Sequence, residues 1–238
     1  MLTRIRTSDR LLSAAAACLA SGLTANVALA QPNPVPMYQI TDLGSLAGPT
    51  GSAVGLGLND AGLAVGWSTA LVSSAVAASQ RPFVFGPVPG TPLPIMRDLL
   101  PGVAGFGSAT DHNEFGMACG TFRRANVDGP RGFVVGGPLT VVPPVAWIEP
   151  LQGGNATAAN AINDSHIAVG SSNIAFGPLP PSATHAIKWQ NGQTMGLGTL
   201  GGRNSEALGV NNPGSIVGVS DLPASTPCLL YTSPSPRD

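Results

Sequence analysis

The chain has 238 residues, of which only 10% are charged, and its formal net charge at pH 7 is -1. Because it has no basic surface to hold phosphates, nucleic acid is not an expected partner. Glycine (31 residues) and proline (23 residues) are abundant, yet 43% of the chain is hydrophobic. This combination favours an all-β fold of short buried strands joined by many turns.

The first segment, 1–30, has the order of a secretory signal peptide. Three arginines are followed by an apolar, alanine-rich stretch at 11–20, and Ala28-Leu29-Ala30 places small residues where a signal peptidase reads. We expect cleavage after Ala30 and a secreted or cell-surface protein. A lipoprotein signal would use Cys18, but Ala15 stands where leucine is expected. No later stretch has the roughly 20 consecutive apolar residues of a membrane-spanning helix.

An internal repeat fills the predicted mature domain, 31–227. Its register is marked by four asparagines spaced 54, 50 and 48 residues apart, each in a loop of the Asn-Asp-x-Gly type. Each asparagine and the residue that closes its turn form one pair: Asn59 and Gly62, Asn113 and Gly116, Asn163 and His166, and Asn211 and Gly214.

Two further signatures keep the same phase. An Asp-Leu-Gly or Gly-Leu-Gly run precedes the asparagine, most clearly at 42–46 and 196–202, and an aromatic segment follows it at 81–85, 131–135 and 185–189. Three signatures in a constant order predict one structural unit that is repeated four times. The predicted units are 38–85, 93–135, 145–189 and 194–227.

The asparagine loop is predicted to be a hairpin turn. Asparagine at the first position accepts a hydrogen bond from the backbone two residues on, and glycine at the fourth takes the left-handed conformation that closes a type I turn onto a bulge. His166 replaces this glycine, and histidine is enriched at positive φ. Asn212-Pro213-Gly214 predicts a type II turn that is shifted by one residue.

The strands that follow these turns are apolar at consecutive positions, which is typical of strands covered on both faces. Each unit offers four short antiparallel strands, and one such sheet cannot bury both faces alone. The sequence therefore predicts an all-β, β-propeller-like array of four-stranded units of about fifty residues, whether complete or incomplete.

The signatures resemble those of the extracellular HAF-repeat family, named for a His-Ala-Phe tripeptide. His185-Ala186-Ile187-Lys188-Trp189 is similar to that element with isoleucine for phenylalanine, whereas 81–83 and 131–133 keep only the aromatic residue. The run at 196–202 and the asparagine turns match the family more fully. The resemblance covers roughly residues 38 to 220. The resemblance implies bacterial secretion and a β-propeller-like fold. It implies no established enzymatic activity and no catalytic residues.

The C-terminal segment 228–238 reads CLLYTSPSPRD and is similar to translated sequencing-adapter sequence on reading frames cut from metagenomic assemblies. It predicts a non-native tail on a fragment of a longer repeat protein, with a genuine Ser/Pro-rich tail as the alternative. Leu229-Leu230-Tyr231 stands where the aromatic strand of the fourth unit is expected.

Candidate chemical groups are sparse. Asp111-His112 occupies a position where the other units have Leu58, Ile162 and Val210, so it is interpreted as a substituted strand end rather than a catalytic dyad. The three histidines, His112, His166 and His185, do not have the ligand spacing of a zinc site. Cys119 stands where other units have valine, which indicates a small buried hydrophobic residue.

The carboxylates do not form a recognisable site either. Asp60, Glu114 and Asp164 recur beside the turn asparagines, but one carboxylate per loop is too few for calcium, which stays a weaker alternative to no cofactor. Glycoside hydrolysis needs two carboxylates roughly 5–9 Å apart. The remaining acids that could supply them are Asp98, Asp128, Glu149, Glu206 and Asp221.

Trp67 follows the glycine that ends its strand and is the candidate exposed aromatic residue for stacking on a sugar, whereas Trp189 holds a repeated position typical of a core. We expect a non-enzymatic interaction or scaffolding module with an extracellular ligand, either a glycan or a protein. One alternative is a hydrolase or lyase that acts on extracellular polysaccharide. Another is a passive repeat stalk that carries a missing C-terminal domain.

Overall fold

The computed structural model describes residues 2–4, 38–70, 79–87, 94–136, 144–175, 183–223 and 229–233. Apart from 2–4, the predicted signal peptide over 1–30 lies outside these residues. So do Cys228 and the last five residues of the suspected tail. Within the described ranges, no helix is both long and apolar enough to cross a membrane.

The chain divides into two compact units, Met1–Asp42 and Leu43–Asp238. In the first unit, strand β1 (Leu2–Arg4) pairs antiparallel with β2 (Tyr38–Ile40). The second unit begins with a 3-10 turn at Gly48–Thr50 and continues as four consecutive sheets.

Each sheet of the second unit is an antiparallel meander, in which neighbouring strands are consecutive in sequence. This confirms the predicted all-β class and the antiparallel, four-stranded plan of the repeat. The described part of the fourth sheet has three strands, and the last of them lies within the suspected tail. The strands are β3 (Ala53–Leu58), β4 (Ala64–Ala70), β5 (Ser79–Gly86) and β6 (Ile95–Asp98) in the first sheet; β7 (Gly105–His112), β8 (Ala118–Arg124), β9 (Arg131–Val135) and β10 (Val145–Ile148) in the second; β11 (Thr157–Ile162), β12 (Ala168–Ile174), β13 (Ala183–Gln190) and β14 (Gln193–Gly198) in the third; and β15 (Ser205–Val210), β16 (Ile216–Ser220) and β17 (Leu229–Ser233) in the fourth.

The sheets are offset from the predicted units. Each sheet begins with the strand that ends in the asparagine turn, and its fourth strand is the one that leads into the next Asp-Leu-Gly-type signature, as β6, β10 and β14 do. The predicted units had placed that strand first. A repeat has the same sequence period wherever its start is drawn, and only hydrogen bonding between strands decides which four belong to one sheet.

Three hydrophobic cores lie between successive sheets rather than within any one of them. Val65 and Val84 of the first sheet pack with Phe122 and Phe133 of the second. In turn, the second sheet packs on the third around Ile148 and other buried residues, and the third packs on the fourth. The first strand of each later sheet lies over the first three strands of the sheet before it. In the described ranges, none of the three cores joins the first sheet to the fourth.

A glycine two residues into the second strand of every sheet permits a β-bulge opposite it. The first strand carries one extra residue there, which is Leu56, Thr110, Asn160 or Leu208 in the four sheets. A Cβ atom on the glycine would overlap a carbonyl oxygen of that first strand. This steric limit explains the glycine that ends each repeated turn motif. The four glycines are Gly66, Gly120, Gly170 and Gly218.

The connections between sheets are held by side chains of the second and third strands. The backbone N–H of Leu46, Leu151 or Leu200 donates to a serine hydroxyl of the sheet that follows it, at 2.9 Å in each case. In the second sheet Phe122 takes the place of that serine. There the buried Arg81 holds the connection instead: its guanidinium lies 5.0 Å from the Phe122 ring centroid and donates to the carbonyl oxygens of Leu100, Val103 and Gly105.

Candidate functional site

The four asparagine turns share one hydrogen-bonding geometry. In each turn the asparagine carbonyl accepts the N–H of the residue three positions on, at 2.9–3.1 Å. The side-chain Oδ1 accepts the N–H four positions on, at 2.8–2.9 Å, in place of the bond two positions on that the sequence predicted. In the second turn, Asn113 Oδ1 also accepts the nearer N–H, from Phe115.

The residue that closes each turn is left-handed. Its φ is +79° at Gly62, +77° at Gly116, +60° at His166 and +89° at Gly214. The fourth turn has the same hydrogen bonds as the others, so it is not shifted by one residue as predicted. The left-handed fourth position brings the next N–H back over the turn, where the asparagine oxygen can reach it.

The turns also form an asparagine ladder across the sheets. The Nδ2 of Asn59 donates to the carbonyl of Asn113 (3.2 Å), Asn113 to Asn163 (3.1 Å), and Asn163 to Asn211 (2.8 Å). Because Oδ1 is engaged within its own turn, each amide side chain serves its own loop and the next sheet together. The ladder explains why asparagine, rather than aspartate or serine, stands at this position.

The residues that follow the asparagines form a second row of hydrogen bonds between neighbouring turns. Glu114 Oε1 accepts the N–H of Asp60 (3.2 Å), and Asp164 Oδ1 accepts the N–H of Glu114 (3.0 Å). Asn212 Oδ1 continues this row by accepting the N–H of Asp164 (3.0 Å). Throughout the described residues, no three His, Cys, Asp or Glu side chains form a group that could hold a metal ion.

Asp111 and His112 do not act as a pair, because consecutive strand residues point to opposite faces. Asp111 Oδ2 accepts the N–H of Ile162, in the next sheet, at 2.9 Å. His112 is buried with neither ring nitrogen in hydrogen-bonding geometry to a described partner. Burial lowers the pKa of His112, against smaller opposing effects of Asp111, the nearby backbone of Leu63, and Glu114.

Cys119 is a fully buried free thiol, and burial raises its pKa to about 12. The five remaining acids each have a separate partner rather than a common pocket. Asp98 pairs with Arg81 (2.9 Å), Asp128 accepts from Asn155 (2.9 Å), Glu149 lies 4.0 Å from Arg131, Glu206 accepts from Asn160 (2.9 Å), and Asp221 accepts from Asn204 (2.8 Å).

An open groove of about 470 Å³ lies at the junction of the first and second sheets. Trp67, the aromatic residue singled out from the sequence, is half-buried in its wall, and Phe106 is exposed beside it. A second cavity of about 270 Å³ shares Phe106 and Arg123 with this groove. The groove is lined by Leu56, Trp67, Gln80, Phe106, Gly107, Ser108, Thr121, Arg123 and Pro130, and none of the five acids is among them.

The groove lies where the first and second sheets lack one hydrogen bond that the later sheets make. At the bulge of the later sheets, Thr110 and Asn160 each donate a hydrogen bond to an alanine carbonyl of the next sheet, at 2.8 Å. Leu56 occupies the same bulge position in the first sheet and has no donor. The first and second sheets therefore lack this bond, and Leu56 lines the groove instead.

The other two tryptophans serve the cores. Trp189 is buried in the core between the second and third sheets, as its repeated position predicts. Trp147 packs against Phe122 and Phe133, with ring centroids 6.3 Å apart in both pairs, and the Arg124 guanidinium lies 4.4 Å from its ring centroid. Phe106 and Arg123 hold no repeated position, so sequence reasoning missed them.

Comparison with protein-family models, with curated proteins and with solved structures found no match to this chain. The resemblance to the HAF-repeat family therefore stays a prediction, and function has to be argued from the groove and the repeat themselves.

Proposed function

We propose that this chain is a secreted or cell-surface binding module whose ligand occupies the groove at the junction of the first and second sheets. The observation that carries the proposal is the meeting of two aromatic rings, Trp67 and Phe106, with the exposed Arg123 in one open groove. Binding pockets typically combine apolar and aromatic walls with a few polar groups that fix orientation, and their volumes run from about 300 to 1,000 Å³.

The composition of the groove fits a neutral or weakly anionic glycan. A sugar ring has an apolar face that packs on an aromatic ring and a rim of hydroxyls that need hydrogen-bond partners. Gln80, Ser108 and Thr121 supply amide and hydroxyl groups, and Arg123 supplies a fixed fork of donors. An open groove suits a chain of sugars, since the ends of the ligand can extend past the protein.

The finer fold and the location are part of the same proposal. We infer that the four sheets are consecutive blades of a β-propeller-like array, which is supported by the packing of each first strand on the preceding sheet. The signal-peptide pattern supports export, and N-terminal sequencing of the exported protein is expected to begin at Gln31. An N-terminus that retains Arg4 in the exported protein would contradict this cleavage.

The test of binding uses soluble starch, laminarin and xylan as probes against the full chain. Affinity electrophoresis detects retardation by each polysaccharide, and titration calorimetry measures Kd for any that bind. We expect at least one polysaccharide to bind, and Trp67→Ala or Phe106→Ala to weaken Kd about tenfold, which corresponds to a loss of about 1.4 kcal/mol.

Phe115→Ala is the matched control, because Phe115 is also an exposed phenylalanine but lies on an asparagine turn outside the groove. It should leave Kd unchanged. Failure of all three polysaccharides to bind would contradict the glycan assignment. Equal weakening by Phe115→Ala and Phe106→Ala would place the site elsewhere on the chain.

A further inference from the structure

Six bonds of the asparagine turns run in one direction across the three junctions between sheets. At each junction the earlier sheet donates, through an asparagine Nδ2 and a turn N–H, and the later sheet accepts, through an asparagine carbonyl and a side-chain oxygen. At its asparagine turn, every sheet thus has a donor face toward the next sheet and an acceptor face toward the previous one, whereas other bonds, such as Asn212 Nδ2 to Asp164 Oδ2 (2.7 Å), run in the opposite direction. In the described chain, the donor face of the fourth sheet and the acceptor face of the first sheet are the two without such a neighbour.

The donor face of the fourth sheet exposes side chains whose counterparts in the other sheets are buried or hydrogen-bonded. Val217 is 45% exposed, although the residues at its position in the other sheets, Val65, Cys119 and Val169, are at most 1% exposed. Val219, on the same face of β16, is also exposed. Asn211 is exposed, and its Nδ2 has no acceptor among the described residues, whereas its three counterparts each donate to the next sheet.

The acceptor face of the first sheet is uncovered in the matching places. Leu58 is 57% exposed, whereas His112 and Ile162 at the same position are 6% and 4% exposed. The Asn59 carbonyl receives no asparagine Nδ2 from the described residues. The Asp60 carboxylate, likewise, accepts no turn N–H within the described part of the chain, although Glu114 at the equivalent position does.

We propose that the donor face of the fourth sheet binds the acceptor face of the first sheet in a second copy of this chain, head to tail. Asn211 Nδ2 then donates to the Asn59 carbonyl of the second copy, and the Asn212 N–H donates to its Asp60 carboxylate. Leu58 of the second copy packs over Val217 and Val219. The contact continues the three interfaces within the chain, with the same donors, acceptors and apolar positions.

A head-to-tail contact is heterologous, so it closes into a ring if the rotation between copies permits and otherwise extends as a filament.

Sedimentation velocity of the full chain over a range of concentrations tests the proposal. We expect the wild type to form oligomers, and Leu58→Asp and Val217→Asp each to be monomeric, because each places a charge in one of the two faces. Both positions are exposed, so neither change buries a charge within the monomer. Circular dichroism checks that each variant keeps the wild-type strand content.

Mixing the two variants gives the decisive result. The Leu58→Asp chain keeps an intact fourth sheet and the Val217→Asp chain keeps an intact first sheet, so an equal mixture should form dimers and nothing larger. Met195→Asp, at an exposed position on the outer strand of the third sheet, is the control and should oligomerise like the wild type.

A monomeric wild type, or two variants that stay monomeric when mixed, would overturn the proposal. If a variant loses its fold, Asn211→Ala replaces it, since the exposed Asn211 Nδ2 has no acceptor among the described residues. Unchanged association of this variant would then count against the contact. The groove residues lie outside both faces, so oligomerisation and polysaccharide binding fail or succeed separately.

Discussion

The asparagine ladder is predicted to stabilise the stack of sheets, and Asn163→Ala tests this at its centre. Asn163 is buried in the third turn, between the second and fourth turns, where its Nδ2 donates to the Asn211 carbonyl at 2.8 Å and its Oδ1 accepts the N–H of Ile167 at 2.9 Å. Alanine removes both bonds at once. It leaves the Ile167 N–H without a partner in the interior, whereas the exposed Asn211 can turn its carbonyl to water.

The magnitude follows from these two different losses. A buried donor left without a partner costs about 1–3 kcal/mol, and loss of the bond to the next sheet costs about 1 kcal/mol more. We therefore expect the free energy of unfolding to fall by about 2–4 kcal/mol in Asn163→Ala. The equivalent change Asn211→Ala removes one bond, to the N–H of Ser215, at an exposed site. Since water can replace it, that change should cost less than about 1 kcal/mol.

Urea unfolding followed by circular dichroism measures both variants against the wild type. The comparison should be made under conditions where the chain is monomeric, so that association does not add to apparent stability. Equal losses in Asn163→Ala and Asn211→Ala would refute the reasoning, because they would show that the ladder bond and its burial contribute nothing beyond the turn itself.

Two buried groups give further predictions. Burial lowers the pKa of His112, so the unfolded chain binds the proton more readily and stability should fall as pH drops through the unfolded value near 6.5. His112→Ile, which copies Ile162, should abolish that pH dependence and raise the free energy of unfolding by about 1–3 kcal/mol, because no polar nitrogen then stays buried unpaired. Urea unfolding midpoints measured across this pH range test the change. A variant that keeps the wild-type pH dependence would count against it. Because the pKa of Cys119 is raised to about 12, its thiol should stay unlabelled by iodoacetamide in the native protein at mildly alkaline pH. Cys119→Val should match the wild type in native thiol count and show one thiol fewer in urea, with stability changed by less than about 1.5 kcal/mol; native labelling lost in the variant would show that Cys119 is accessible.

The parts of the structure that depend on nearby residues were predictable from the sequence. The asparagine turns follow from residues within four positions of one another, and His166 takes the left-handed conformation that its place in the turn required. The four-stranded antiparallel plan follows from short apolar runs between turns. The signal peptide, the tail and the family resemblance stay predictions.

The groove could not be predicted in the same way. Trp67 was identifiable because it follows the glycine that ends its strand, but Phe106 and Arg123 belong to the next sheet and hold no repeated position. Their meeting with Trp67 depends on how two sheets stack. The groove also depends on Leu56, which lines it and has no hydrogen-bond donor in its side chain. The role of Leu56 becomes clear only from the structure, where Thr110 and Asn160 at the same bulge position each donate a hydrogen bond to the next sheet.

The sequence by itself determined the repeat, the strand class and the turns, since each is set by hydrogen bonds and steric limits within a few residues. Only the tertiary structure decided which strands share a sheet, which side of each sheet donates and which accepts, and where the surface stays open. Those features join residues 48 to 54 positions apart. Such contacts form only after the sheets have stacked, and no local preference of the chain encodes the stacking.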